Sequence, residues 1–488
     1  MLNRRKALAL GGAVGAASLF IPSSATSAPS AAGVHTGHLP RLTPARRTGG
    51  GPVVTPFRSP MPLPPSVAPV STTGGIDLYR IPIRPAKVEI FPGTTTDVLS
   101  FGGAFMGPLI RAKAGRRVGV VFTNQLGEAA NVHLHGGHTA ANSDGHPMDV
   151  IEPGGSKPYE YLNRQRGATL WYHAHEHHTE AEHVYRGMHG FYVIDDDAEC
   201  DLRLPAGPYD VPIMLRDALF DDQHQLVYDD PGNRPTILVN GKVQPFFRVA
   251  ARKYRFRLLN ASTERAFDLR LEGASMTQIA SDGGLLPAPV PRPQVGLWAG
   301  ERVEVVVDFA QVPIGGHVLL LDGDQPLLRF DVVRRVPDGS RLPDRLRPLP
   351  PLPAPTVFRE VAFNIDFTGD PLPVAQVNGQ PYDPERVDFR VRRGTTEVWT
   401  VRNADPVPGP FPVPHNFHLH MTQFRVLSRN GGPITLDDAG LKDTVALPPG
   451  HTVQVQATFE DFLGQYVFHC HFLEHSWLGM MAQMLIVE

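Results

Sequence analysis

The chain has 488 residues, with 46 Lys and Arg against 49 Asp and Glu, a net charge of −3 and 42% hydrophobic residues. That length suits about two to four domains with full cores, and the charge balance gives no bulk attraction for nucleic acid. Its two cysteines, Cys200 and Cys470, cannot build a disulfide framework.

The chain opens with MLNRRKALALGGAVGAASLFIPSSATSAPSAA. Arg4, Arg5 and Lys6 precede an apolar run from Ala7 to Ile21, and small residues around Ala28 to Ala32 offer cleavage sites. Residues 1–32 therefore read as an export signal of the twin-arginine type, with an ordinary secretory signal as the alternative. The protein is expected to leave a bacterial cell by that machinery, for the periplasm, the wall or the medium. The apolar run is too short for a stable membrane anchor. Residues 33–70, rich in Pro, Gly, Ser and Thr, read as a flexible lead-in.

Next comes the first of three related units. AGRRVGVVFTN (114–124), AARKYRFRLLN (250–260) and RGTTEVWTVRN (393–403) align without gaps. Each ends in Asn and carries apolar residues two and four places earlier, which is strand periodicity. Proline (49) and glycine (47) are abundant, as many turns require. The breaks fall at DDDAECDLRLPAGPYD (195–210) and LPDRLRPLPPLPAP (342–355). The fold expected is all-β: three Greek-key β-sandwich domains over 71–200, 206–342 and 357–488, with a stiff Pro-rich linker at 343–356.

Histidines recur at spacing two: His133/His135, His173/His175, His418/His420 and His469/His471, with His177 extending the second pair. Chance predicts roughly one such pair at this histidine frequency. Two residues apart on a strand share a face, so each pair presents two imidazoles together. Neutral imidazole binds Cu, Zn, Fe and Ni. Two pairs come from the first unit and two from the third, so a site using all eight lies between those units, with the middle one as spacer.

In FHCHFLEHSWLGM (468–480), Cys470 stands between His469 and His471 and faces the other way. It cannot share their metal, but it can bind a second one through Sγ. With His475, an upstream histidine (His415 in PHNFHLHM) and Met480 as a weak axial ligand, this is a blue-copper donor set. Zinc takes the same ligand types but gives no reason for a thiolate wired between two histidines.

HLHG (133–136), WYHAH (171–175), HNFHLH (415–420) and HCHFLEHSWLGM (469–480) resemble the four copper motifs of the multicopper oxidases, in order. The likeness spans about residues 75–488 and is nearest the spore-coat laccase, bilirubin oxidase and phenoxazinone synthase branch. It implies three cupredoxin-like domains and four copper ions. Type 1 copper would take His415, Cys470, His475 and axial Met480; type 2, His133 and His418; one type 3 ion, His135, His173 and His471; the other, His175, His420 and His469. Electrons would enter from a small aromatic reductant at His475, pass through Cys470, and reduce O2 to water. A monomer is the family expectation.

The resemblance also implies acids near the cluster. Asp144, in NSDGHP, matches one acidic position. At the other, where this branch usually has HED, the chain has Ser476 and Trp477 after His475. Asp144 is therefore expected to carry more of the proton supply. EHHTEAEH (176–183), with His177, His178 and His183, reads as a polar loop or as a peripheral metal or substrate patch. Oxidation of Cu(I) or Fe(II), or a copper-free structural role, are the alternative functions.

Overall fold

The computed structural model describes residues 54–370, 372–407 and 412–488. The expected export signal and the start of the expected lead-in lie outside them. Strands dominate and form six sheets, which pair into three sandwiches. The first unit has two four-stranded sheets, the middle unit a seven- and a five-stranded sheet, and the last unit two five-stranded sheets. Each sandwich closes over its own core, with Trp399 and Phe417 central in the last unit, Phe256 and Phe330 in the middle one, and Tyr159 and Phe122 in the first.

The three aligned stretches are the same strand in each unit: Arg117–Asn124, Lys253–Asn260 and Thr396–Asn403. Each pairs in parallel with the opening strand of its unit, Ile76–Val88, Asp210–Ala218 or Val357–Asp366. The terminal Asn does the same work three times. Its side-chain oxygen accepts the N–H two residues on, from Leu126, Ser262 or Asp405. Its amide donates to two further backbone carbonyls, those of Glu128 and Ile151, of Arg265 and Leu297, and of Val413 and Leu447. The repeat thus encodes a buried staple that ends a strand and pins the loops beyond it.

One expectation is overturned. From residue 54 the lead-in is packed against the units rather than free. Met61 is buried in the core of the middle unit, Pro60 bridges Phe246, Ser66 bridges Leu109, and Asn240 donates to the Pro62 carbonyl at 2.9 Å. Proline-rich composition removed backbone donors but left apolar side chains able to dock. Cys200 is exposed on the 3-10 turn Asp197–Leu202, and both cysteines are free thiols.

Asn260→Ala tests the staple in the unit that supplies none of the clustered histidines. It strands one N–H and two carbonyls, so it should cost about 1–3 kcal/mol, read as a lower urea midpoint for the chain.

Candidate metal centre

Four strands bring the histidine pairs together. His133–His135 lies beside Ala168–His173 in the first unit, with His133 opposite His173. His415–Leu419 lies beside Gly464–Cys470 in the last unit, with His418 opposite His469 and Phe417 opposite Cys470. The two sheets face each other, so eight imidazoles from the pairs meet in one buried space.

The ligand atoms fall into distinct groups, each within 4.8 Å: His135, His173 and His471; His175, His420 and His469; His133 and His418 together with His135; and, apart from these, His415, Cys470 and His475. In the last group, Cys470 Sγ lies 3.8 Å from His415 Nδ1 and 3.6 Å from His475 Nδ1. Met480 is fully buried, and its carbonyl accepts from Cys470 N–H at 3.1 Å. Asp144 also joins a group, with His133 and His420.

Six of the eight paired imidazoles are oriented by the ring nitrogen that does not face the centre. His133 Nδ1 donates to the Asp144 carbonyl at 2.6 Å, His173 Nδ1 to Ala174 at 2.8 Å, His418 Nδ1 to Asp443 at 2.8 Å and His469 Nδ1 to Cys470 at 2.9 Å. His420 Nδ1 donates to Asp144 Oδ2 at 2.7 Å. His135 is reversed: its Nε2 donates to Asp443 Oδ1 at 2.9 Å. What is left over is buried and without a partner: Nε2 of His133, His173 and His418, Nδ1 of His135, and both nitrogens of His471. Orphaned ring nitrogens with their partners fixed on the far side are what a metal centre requires. His415 is held the same way, its Nε2 donating to Asp405 Oδ2 at 3.0 Å. Asp405 is itself placed by the staple at Asn403.

Charge state agrees. Burial above all, and for most of them repulsion from neighbouring rings, lowers the pKa of the eight paired imidazoles, to about 3 for His173 and about 4 for His469, and burial lowers that of His475. They are neutral, the form that binds metal. Burial pushes the Cys470 thiol up, so a thiolate there needs an adjacent cation. The residues present therefore fit bound metal ions.

The middle unit holds no ligand, yet it is more than a spacer. Arg302, fully buried, grips Asp443 with both guanidinium arms at 2.7 and 2.5 Å, and its Nε donates to the Thr169 carbonyl at 2.9 Å. Asp443 in turn orients His135 by its carboxylate and His418 by its carbonyl. One arginine so ties together the strand of His173, the orientation of His135 and the last unit. Gly136, which closes HLHG, makes the room: at φ 80°, a Cβ there would lie 2.5 Å from Arg302 Nη2 and 2.7 Å from Asp443 Oδ2. The same unit grips the helix that carries His475, α2 (Leu473–Trp477). Arg234 and Thr263 bind the Glu474 carboxylate at 2.8 and 2.6 Å. Nothing in the spacing of these residues advertises them; Gly136 was the sole local signal.

EHHTEAEH is not a loop on the surface. It forms a turn and a second helix, α1 (Glu180–Arg186), with Glu176, Glu180 and His183 buried. His183 bonds Glu176 and lies 3.1 Å from Glu128. Burial would lower its pKa, but Glu176 first and Glu128 next outweigh that and push it up to about 9.

Comparison with known proteins agrees with this geometry. Family profiles described as multicopper oxidase match residues 83–199, 200–325 and 350–488. A laccase of Bacillus stratosphericus is 32% identical, over 88% of this chain and 99% of that protein. The crystal structure of a laccase from Pediococcus acidilactici superposes with a TM-score of 0.82 at 30% identity, covering 91% of this chain and 96% of that one. A Campylobacter jejuni multicopper oxidase described as a metallo-oxidase gives 0.79 at 26% identity, over 89% and 96%.

Two expectations follow. Arg302→Lys keeps the charge but loses the two-armed grip; metal retained per chain after dialysis against chelator should fall, with affinity down about 10–100-fold, read by elemental mass spectrometry. His183 gains its partner ions on folding, so its stabilisation is present below pH 6.5, its ordinary value, and fades as pH rises through about 9. The melting-temperature gap between the parent and His183→Gln should therefore be widest below pH 6.5 and shrink toward pH 9.

Proposed function

The chain belongs to the multicopper oxidase family, and from that premise we propose that it is a laccase-like oxidase holding four copper ions and oxidising small phenols or aromatic amines at the expense of O2. One observation carries the reading: Cys470 stands with His415 and His475, while its two neighbours in sequence, His469 and His471, stand in two different histidine triads. A thiolate centre and a histidine cluster are thus joined by single peptide units.

In the assignment that follows, His415, Cys470, His475 and Met480 hold the type 1 ion, and His133 and His418 the type 2 ion. His135, His173 and His471 hold one type 3 ion; His175, His420 and His469 hold the other. When bound, copper supplies one-electron redox chemistry, so four ions can gather the four electrons that reduction of O2 to water consumes. The chain does the rest. His475 is 3% exposed, on the short helix that follows Cys470, and would take the electrons from the reductant. The backbone of Cys470 links the two centres. Asp144 fixes His133 through its carbonyl and His420 through Oδ2, which leaves Oδ1 buried and unpartnered. Burial raises the Asp144 carboxyl well above the usual range, so a proton can rest at that oxygen. The paired arginines at residues 4 and 5 support export by the twin-arginine route.

Metal-ion oxidation is the second reading, favoured by the structural likeness to a metallo-oxidase. Oxygen uptake measured side by side with a phenol, an arylamine, Cu(I) and Fe(II) separates the two. The holoprotein should carry four coppers per chain and a blue absorption band. Cys470→Ser should remove the band, leave about three coppers, and reduce oxygen uptake by more than 100-fold; fewer than three coppers and no blue band in the parent would overturn the oxidase reading.

A further inference from the structure

The seam between α1 and α2 concentrates buried polar atoms that nothing in the assignment above uses. Glu180 is 1% exposed, and neither carboxyl oxygen has a hydrogen-bond partner. Ser476 Oγ faces it from α2, close enough to favour its charged form, yet also completes no hydrogen bond. Tyr382 OH and His177 Nδ1 are likewise buried and unpartnered. Five orphaned polar atoms in one seam are a place for internal water, since buried polar groups rarely go unsatisfied.

The seam has an outer and an inner end. His178 is exposed and stacks on His177 at 3.6 Å, and the His177 ring meets Tyr382 at 4.9 Å. Glu180 acts electrostatically on Tyr382. At the inner end, Ser476 directly follows His475, on a helix that begins two residues after His471. Glu180 itself sits one turn beyond Glu176, whose Oε2 accepts the His175 N–H at 3.2 Å. Trp477 Nε1 donates to the His178 carbonyl at 2.7 Å and clamps the two helical segments together.

We propose that Glu180 is a proton-relay residue for O2 reduction, drawing protons from solvent by way of His178, His177 and Tyr382 and passing them inward through Ser476. The proposal rests on the oxidase reading. Each O2 takes four electrons from the reductant and four protons from solvent and leaves as two waters; each proton that Glu180 releases is replaced from outside, so the relay is unchanged over a cycle. Burial raises the Glu180 pKa to about 8, with the Glu176 charge adding to it and Ser476 and His183 opposing. The groups around it are Glu176 and His183 from its own segment, Tyr228 from the middle unit, and Ser476 and Tyr382 from the last. A carboxyl that is protonated at neutral pH and exchanges near pH 8 suits a relay.

Glu180→Gln preserves shape and removes the transferable proton. Copper per chain, the blue band and anaerobic reduction of the Cys470 centre should be unchanged. Oxygen uptake at pH 7 should fall about 10-fold or more; the parent's kcat should decline above pH 8, and that decline should vanish in E180Q. In the copper-free protein, infrared spectroscopy should show a protonated-carboxyl C=O stretch at pH 7 that E180Q lacks. Adding S476E to E180Q moves the acid across the seam and should restore at least half of the uptake, which a merely structural role would not do. Unchanged uptake and pH profile in E180Q, with four coppers bound, overturn the relay alone. A parent without copper overturns the oxidase reading and the relay with it. Should E180Q fail to fold, Tyr382→Phe carries the same test: at least a threefold loss of uptake with copper intact is expected, and no loss overturns the proposal.

Discussion

Two adjacent residues on an extended strand point to opposite faces, and the functional architecture depends on that constraint. On the strand ending at Cys470, His469 faces the first unit while Cys470 faces the core of its own. His471 returns to the first side. A helix would have spread these three side chains over 200° of arc and placed no two adjacent residues on opposing metals. The period of two is what allows one short segment to serve two centres without a linker, and cross-strand pairing of His418 with His469 fixes the partner strand in the same register.

Desolvation then decides which groups stay neutral and which must be paired. The imidazoles are buried together, and neutrality is their cheapest state. The charges around them are handled differently. Arg302, Asp443, Asp282, Lys442 and Glu301 are all buried, and they are joined in one network of ion pairs. Breaking one partner of such a network leaves a bare charge, which is far costlier than the pair is worth. The network therefore contributes geometry more than stability: it sets the angle of His135 and His418 and locks the ligand-free middle unit to both ligand-bearing ones.

Much of this was legible in the sequence, for identifiable reasons. Ligands come in pairs at spacing two, and the strand period turns spacing into direction. The repeated Asn marked three related strands because the same residue closes the same strand at the same place in each unit. Arg302, Asp443, Asp405, Glu474 and Thr263 were invisible because each acts on a residue more than a hundred positions away or across a fold-back that no periodicity records. The packed stretch at 54–70 and the burial of EHHTEAEH were misread because polar or proline-rich composition says nothing about which neighbours will cover a segment. Ser476 stood out as a departure from relatives, but that Glu180 faces it is a fact of tertiary packing.

The order of the ligands along the chain carries a further consequence. Five of them, His469, Cys470, His471, His475 and Met480, lie within the last twenty residues, on elements that pack against the first unit only once the third sandwich is present. Domains form in order of synthesis, N-terminal first. A chain cut short by a nick or a stalled ribosome can fold its first and middle sandwiches, yet it lacks the C-terminal donors of every proposed ion but the type 2 one, whose His418 it would also need. Any redox chemistry at the proposed centres is thereby made conditional on the third sandwich, whose residues complete every one of the clusters.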